Sequence, residues 1–578
     1  MAATTTAPAP ARSKSAILVA LCLAALIINI DVTIVNVTLP SLVRELRATT
    51  TNLQWIVDAY TLVFAALILA AGSLSDRVGR KGILLAGLGV FALGSLAGSL
   101  ADTPNQLIAA RAVMGLGAAG IFPATLSLIA NVFTERTERA KAIGLWGATT
   151  GVGVATGPIV GGWLLENFWW GSVFVFMVPI AIVVALMVAW AVPTSRDPNI
   201  RPLDWPGLLL SSAGFGALVF GIIQAPDWGW GSTRTLATIA AALLIIAAFI
   251  AVERRTERPM MDVTLFKNPR FTAASGSITI GFFVLAGFTF LITQYFQFVK
   301  AYTPFGTGLR ILPVAVSIAV ASIAGTRLAV KIGNKAVVAT GLALWGGAVL
   351  WISTVSTATP YYVIVGQMIM GGSGLGLVTA PATEAILGAV PKEKAGVGSA
   401  VNDATRLFGA ALGVAVIGSI AASLYHSHLT ATIPSGLPAQ AAAAARGSVG
   451  GALVAATSAG AAGHALANAA VGAFLHSVSG SLKVAGAVAL AGAIMAALLL
   501  PARPRIEEDA IAEEAMWVSG ARRLRETPSL GAAIVGAARG TVYVIRREGD
   551  WAEVRSEQLN GWLPLPFLLP APSPVDAA

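Results

Sequence analysis

Gly72-Ser-Leu-Ser-Asp76-Arg77-Val-Gly79-Arg80-Lys81 reads as a tight basic turn between two apolar runs. A second copy stands far downstream: Leu74–Lys81 is LSDRVGRK, and Leu328–Lys335 is LAVKIGNK. Leu, Gly and Lys stay in register, and Lys331 matches Arg77. Val330 stands where the first copy has Asp76, so the two turns are not equivalent in charge. Short basic turns are common between apolar runs, but the shared register and the equivalent placement indicate a repeat. A parallel repeat of this kind divides a membrane chain into two equivalent halves.

Working outward, the chain has 578 residues, of which 56% are hydrophobic and 11% charged. Soluble domains carry about 25% charged residues, so most of this surface faces something other than water. Apolar runs of about 20 residues, each sufficient to cross the hydrocarbon layer, recur along the chain. They are expected near 15–37, 53–74, 82–100, 105–131, 141–165, 171–192, 206–224, 235–252, 272–297, 308–329, 336–355, 361–390, 396–424 and 482–501. In lipid every backbone amide must bond within its own segment, so these runs are helices. The expected fold is an all-α polytopic membrane protein with fourteen spans. Two six-helix halves, 15–192 and 272–501, flank two inserted helices at 206–252. Residues 1–14 read as a disordered tail, and the first span, with Asp31 and Asn36, lacks a signal-peptide cleavage site. The single cysteine, Cys22, excludes an internal disulfide framework.

Lys and Arg set the orientation. With the N-terminus cytoplasmic, the inward loops hold Arg77, Arg80, Lys81, Arg136, Arg139, Lys141, Arg196, Arg201, Arg254, Arg255, Arg258, Lys267, Arg270, Arg327, Lys331, Lys335, Lys392 and Lys394. The outward loops hold fewer: Arg44, Arg47, Arg234, Lys300, Arg310, Arg446 and Lys483. The net charge of +10 therefore sits beside an anionic lipid leaflet and does not indicate nucleic acid. Both termini are expected in the cytoplasm.

Four constellations in the first half carry chemistry. In the 72–81 turn a carboxylate and three cations can switch partners at the cytoplasmic mouth. Arg111 is a guanidinium inside an apolar run, and an intramembrane charge is costly enough to imply a function. Gly153, Gly157, Gly161 and Gly162 let two helices touch, and Pro158 bends its helix. Asp31, in Asp31-Val-Thr-Ile-Val-Asn36-Val-Thr-Leu-Pro40, is a carboxylate in the outer half of the first expected span. In the second half, Asp403 and Arg406 are three apart and share a helix face. They read either as a static ion pair or as a proton or cation site with Arg406 as counter-ion. Glu384 falls near the inner end of span twelve and Asp58 near the outer end of span two, each lining a cavity or staying solvated. Phe282, Phe283, Phe288, Phe290, Tyr295, Phe296, Trp55, Trp146 and Trp345 offer flat faces for lipophilic cations, or ordinary packing.

These stretches resemble the motifs of the major facilitator superfamily. The turn with Gly72, Asp76, Arg77, Gly79, Arg80 and Lys81 resembles motif A, and Leu107–Ala119 resembles motif B. Gly153–Gly162 is similar to motif C, the antiporter pattern, and Asp31–Pro40 to the first-helix motif of fourteen-span drug:proton antiporters. Asn52-Leu-Gln-Trp-Ile-Val-Asp-Ala-Tyr60 and Trp169-Trp170-Gly-Ser-Val-Phe174 resemble exporters of quaternary ammonium compounds and dyes. Where that pattern commonly has Arg and Asn after Trp170, Gly171 and Met177 stand here. The resemblance implies a proton-coupled exporter of lipophilic cations in a bacterial cytoplasmic membrane, monomeric, with lipid around it and no cofactor beyond the proton gradient. It implies that Asp76 and Arg77 gate the inner face, that Arg111 relays protons or sets the ionisation of nearby acids, and that Asp31 is protonated and deprotonated in the cycle. An exporter of one metabolite or antibiotic, and a receptor or scaffold signalling through its tail, are the alternatives.

Two regions lie outside the spans. Residues 425–480 read as a long Ala/Gly/Ser-rich outer loop with helical pieces, and its four scattered histidines are a weak pattern for metal, so none is assigned. Residues 502–578 read as a cytoplasmic tail that opens on a charged, helix-like run, Glu507–Arg525. Polar–apolar alternation with Gly turns then marks short strands, and 530–566 resembles part of a bacterial SH3-like barrel. No G-x-x-x-x-G-K-[ST] occurs, which argues against ATP-driven transport, and no nucleophile elbow or zinc pattern indicates an enzyme.

Overall fold

A computed structural model describes residues 14–196, 204–256, 259–390, 395–501, 514–525, 534–548, 551–556 and 559–570. Residues 1–13 of the expected tail, the basic residues Arg201, Arg258, Lys392 and Lys394, and Glu507–Glu513 lie outside them. The first half comprises α1 (Lys14–Leu46), α2 (Thr50–Val78), α3 (Arg80–Ser99), α4 (Pro104–Val132), α5 (Arg136–Asn167) and α6 (Ser172–Ala191). The inserted pair is α7 (Trp205–Trp228) and α8 (Thr233–Glu253). The second half begins with α9 (Pro269–Gln294), prolonged by a π-helical turn at Tyr295–Val299, then α10 (Pro304–Ile332), α11 (Asn334–Ile352), α12 (Tyr361–Leu387) and α13 (Ala395–Thr432). Two short helices, α14 (Ala439–Gly447) and α15 (Val449–Ser458), precede the last span, α16 (Gly463–Leu499). Among the described residues, 14 helices are long and apolar enough to cross a membrane.

The repeat extends well beyond the two turns. In the first half α1 packs on α4, α5 and α6, α4 on α2 and α3, and α3 on α6. In the second, α9 packs on α12, α13 and α16, α12 on α10 and α11, and α11 on α16. The two sets coincide when α1–α6 are laid on α9–α13 and α16. The turn glycines also correspond: Gly79 between α2 and α3 has φ +131°, and Gly333 between α10 and α11 has φ +89°. A side chain is disfavoured in both conformations, which explains why Gly holds the same place in each copy. Thr49, Thr103 and Thr303 cap α2, α4 and α10 through their hydroxyls, satisfying amides that no earlier turn can reach.

The structure corrects two of the expected boundaries. α13 runs on to Thr432 and α16 starts at Gly463, so both ends of the expected loop 425–480 are helical and only 433–462 separates them. A 37-residue helix is about 55 Å long, well beyond the hydrocarbon layer. Part of each helix therefore continues past the apolar zone. Likewise, Glu514–Arg525 of the charged run is a strand, not a helix. It forms β1, followed by β2 (Ile534–Glu548), β3 (Trp551–Ser556), β4 (Leu559–Pro564) and β5 (Leu568–Pro570). β1 pairs antiparallel with β2, β4 and β5, while β2, β3 and β4 form a meander. The sheet thus closes on itself as a small barrel. The helical part and this barrel are two compact units, Met1–Ala502 and Arg503–Ala578.

Candidate functional site

The deepest charges belong to α1 and α4. Asp31 is 0% exposed and Arg111 is 1% exposed. Arg111 donates from one terminal nitrogen to Asp31 Oδ2 at 2.6 Å and from Nε to the Ile56 carbonyl at 3.1 Å. Its guanidinium lies 4.3 Å from the centre of the Tyr60 ring, on α2. Three helices thus converge on one ion pair. Asp31 Oδ1 and the Tyr60 hydroxyl are buried and have no hydrogen-bond partner, which leaves capacity beside the pair. Because α1 extends to Leu46, Asp31 lies at its middle and not in an outer half, as the shorter expected span implied. From Tyr60 an aromatic chain runs through Phe64 and Phe122 to Trp146, whose Nε1 donates to Thr125.

Asp58, one helical turn from Gln54 on α2, is also fully buried, so it does not stay solvated. Neither of its carboxylate oxygens has a hydrogen-bond partner. An unpaired polar group so placed is costly.

The second half is built differently. A cavity of about 580 Å³ is lined by Arg270 on α9, Thr379, Ala380, Thr383, Glu384, Leu387 and Gly388 along α12, and Arg406 on α13. Glu384 is exposed there. Asp403 and Arg406 do not form an ion pair. Arg406 reaches across to Thr383, donating to its hydroxyl at 3.0 Å, and its guanidinium sits 5.5 Å from the Phe282 ring centre. Asp403 instead accepts a long contact from Asn402, 3.5 Å. The first half therefore holds a sealed ion pair, and the second an arginine at a cavity wall without a carboxylate on it.

In the 72–81 turn Asp76 accepts from Arg80 Nε at 2.7 Å, so of the three cations Arg80 is its partner here, while Arg77 is exposed. Lys81 donates to the Ala189 carbonyl at 2.7 Å, and Arg80 N–H to the Ser195 carbonyl at 3.0 Å, fastening the turn to the end of α6. Gly153, Gly157 and Gly161 form a stripe against α1: a Cβ on any of them would strike Asn29, Thr33 or Ile34. Gly162 faces the other way, onto Pro304 and Phe305 of α10, and the Pro158 carbonyl lies against Gly308. Of the expected aromatics, Phe288, Phe290, Tyr295, Phe296 and Trp345 are buried packing, and Phe282 serves Arg406.

The halves meet through α5 on α10, α2 on α13, and α1 on α9. Among the described residues, every hydrogen bond between them lies at the end away from the basic turns. Gln54 Nε2 donates to the Val414 and Ala415 carbonyls at 3.2 and 3.0 Å, with Ser419 Oγ a further acceptor at 3.1 Å. Gln297 Nε2 donates to the Val37 carbonyl at 2.9 Å, and Arg44 to Gln297 Oε1 at 3.4 Å. Phe305 N–H donates to Glu166 at 3.1 Å, and Thr50 Oγ1 to the Gly447 carbonyl at 3.2 Å. Sequence reading missed Gln54, Gln297, Thr383 and Arg270 as parts of the site. Gln54 falls within the Asn52–Tyr60 stretch and Arg270 among the inward-loop cations, but a polar residue in or beside an apolar run does not reveal what it faces.

A family model described as the Major Facilitator Superfamily matches residues 21–414. The chain is 35% identical over 427 residues to "Multidrug resistance protein Stp" of Mycobacterium tuberculosis, covering 73% of this chain and 79% of that one. It is 33% identical over 474 residues to "Methyl viologen resistance protein SmvA" of Salmonella typhimurium, covering 82% and 95%. Among solved structures, a bacterial homolog of the human lysosomal transporter Spinster, inward-facing and unoccupied, superposes with TM-score 0.60 at 18% identity, covering 86% of this chain and 98% of that one.

Proposed function

The chain belongs to the Major Facilitator Superfamily, and from that premise we propose that it is a proton-coupled antiporter exporting lipophilic, cationic drugs by alternating access. The observation that carries the reading is the sealed pair between Asp31, mid-way along α1, and Arg111, two turns into α4. A carboxylate held by one guanidinium, with its second oxygen unpartnered, is placed to take a proton and release its arginine. Asp58 is the second proton carrier, and Asp403 with Glu384 and Arg406 governs the opposite wall of the path. The Salmonella relative is named for resistance to methyl viologen, a permanently charged flat dication, which fits a cationic substrate class.

In this reading the basic turns face the cytoplasm of a bacterial cell, where Lys and Arg are retained. The halves are joined at the outer end and the cavity opens inward. Substrate enters beside Glu384, and proton uptake at Asp31 accompanies the return. The energy source is the proton gradient, with no cofactor, in a monomer surrounded by lipid.

The test is ethidium efflux from cells or proteoliposomes holding the full chain. Efflux should follow an imposed pH gradient and stop when an uncoupler collapses it. Efflux indifferent to the uncoupler would refute proton coupling. A protein that moves one metabolite and no dye would support the narrower exporter instead.

A further inference from the structure

The two interfaces between the halves are related by the internal repeat, and they differ in what fills the contact. The register that carries Gly79 onto Gly333 also carries Gln54 of α2 onto Gly308 of α10. The register that carries Gly153 and Gly157 onto Gly409 and Gly413 also carries Pro158 onto Val414 and Gly162 onto Gly418. That second alignment has physical support: Gly153 and Gly157 press on Asn29 and Thr33 of α1, and Gly409 and Gly413 press on Thr279 and Phe283 of α9. The two contacts then share one feature, the main-chain carbonyl of the aligned residue on α5 or α13. On one side the Pro158 carbonyl lies against Gly308, where a Cβ could not fit. On the other the Val414 carbonyl accepts from Gln54. At this corresponding point one interface is main chain on main chain, with Glu166 accepting from Phe305 N–H two turns further along α5, while the other is spanned by a side-chain amide.

We infer that Gln54 is the releasable latch of the outer gate, holding α2 to α13 through the Val414 and Ala415 carbonyls, while Pro158 against Gly308 is the pivot on which α5 and α10 turn. The inference rests on the alternating-access reading above. The chemistry suits a latch. Gln54 is fully buried and its Nε2 engages α13 alone, but its Oε1 has no partner. An amide half satisfied in this way costs less to release than a fully bonded one, because water reaching the opened gate satisfies both ends. It is neutral, so the gate opens without separating charges in a low-dielectric layer. The pivot, by contrast, has no side chain to swing away, and close backbone approach is lost only by moving a whole helix. Gln54 is a positioning residue: it sets which side is open and touches no substrate.

Spin-label pairs on the full-length protein in liposomes test this directly, with the single cysteine removed as Cys22→Ser. Glu45→Cys with Ser427→Cys reports the outer end, and Val78→Cys with Val330→Cys the inner end; all four positions are exposed. Gln54→Met keeps length and removes the donors, and should raise the outer-open population on the order of tenfold, as expected for losing two neutral hydrogen bonds. Gln54→Glu places an acceptor against two carbonyl oxygens and should raise it further. Both variants should shift the inner pair toward shorter distances in parallel, because alternating access closes one end as the other opens. Outer distances unchanged from wild type in both variants, in protein that transports, would overturn the latch. Wild-type distances that stay fixed during transport would overturn alternating access itself, and the latch with it.

Discussion

The Asp31–Arg111 pair concentrates the free energy of the site in a few atoms. Both partners are out of water, so removing one leaves the other charge uncompensated, which costs about 3–5 kcal/mol in buried pairs. Asp31→Asn should therefore lower thermal stability in detergent and abolish pH-driven dye efflux from proteoliposomes. Asp31→Glu, which keeps the charge one methylene further out, should recover the stability better than the transport. Full efflux by Asp31→Asn would remove Asp31 from the proton path. Both charges were legible as isolated intramembrane residues, but their pairing was not, because 80 positions separate them in the chain. The opposite case is Asp403 and Arg406. Their spacing allowed a pair, yet the long guanidinium extends to Thr383 and Phe282 on neighbouring helices and makes no direct bond to the aspartate.

At the scale of elements, the strongest constraint is the pair of turn glycines. Gly79 holds φ +131°, and Gly79→Ala should cost about 1–3 kcal/mol through backbone strain, read as a lower melting temperature with the helices still formed. Gly333→Ala should behave alike, since it fills the same place in the second copy. A melting temperature unchanged in both would show that the turns relax freely. Helix existence was legible throughout from apolar runs, because lipid leaves the backbone no other choice. Helix ends were not. α13 and α16 run past the apolar zone on Ala-rich sequence of good helix propensity, which Gly and Ser disguised as a loop. Glu514–Arg525 is charged enough to suggest a surface helix, but its pairing along Ile534–Glu548 makes it a strand. That choice belongs to the partner strand and not to local propensity.

For the whole molecule, the helical unit and the barrel are separate compact bodies, so transport should reside in the first. A chain ended at Ala502 should insert, transport dye and retain its response to an uncoupler, since each unit is compact by itself. Loss of flux with normal insertion would give the barrel a part in the cycle. By itself the sequence determined the class, the span count, the two-half plan and the family, because lipid selects helices by composition and a repeated turn survives as text. Only the tertiary structure decided which charges meet, which end of the bundle is closed, and that Gln54 faces Val414 where Pro158 faces Gly308. Those are relations between helices far apart in the chain, set by packing and close backbone approach, and no local pattern records them.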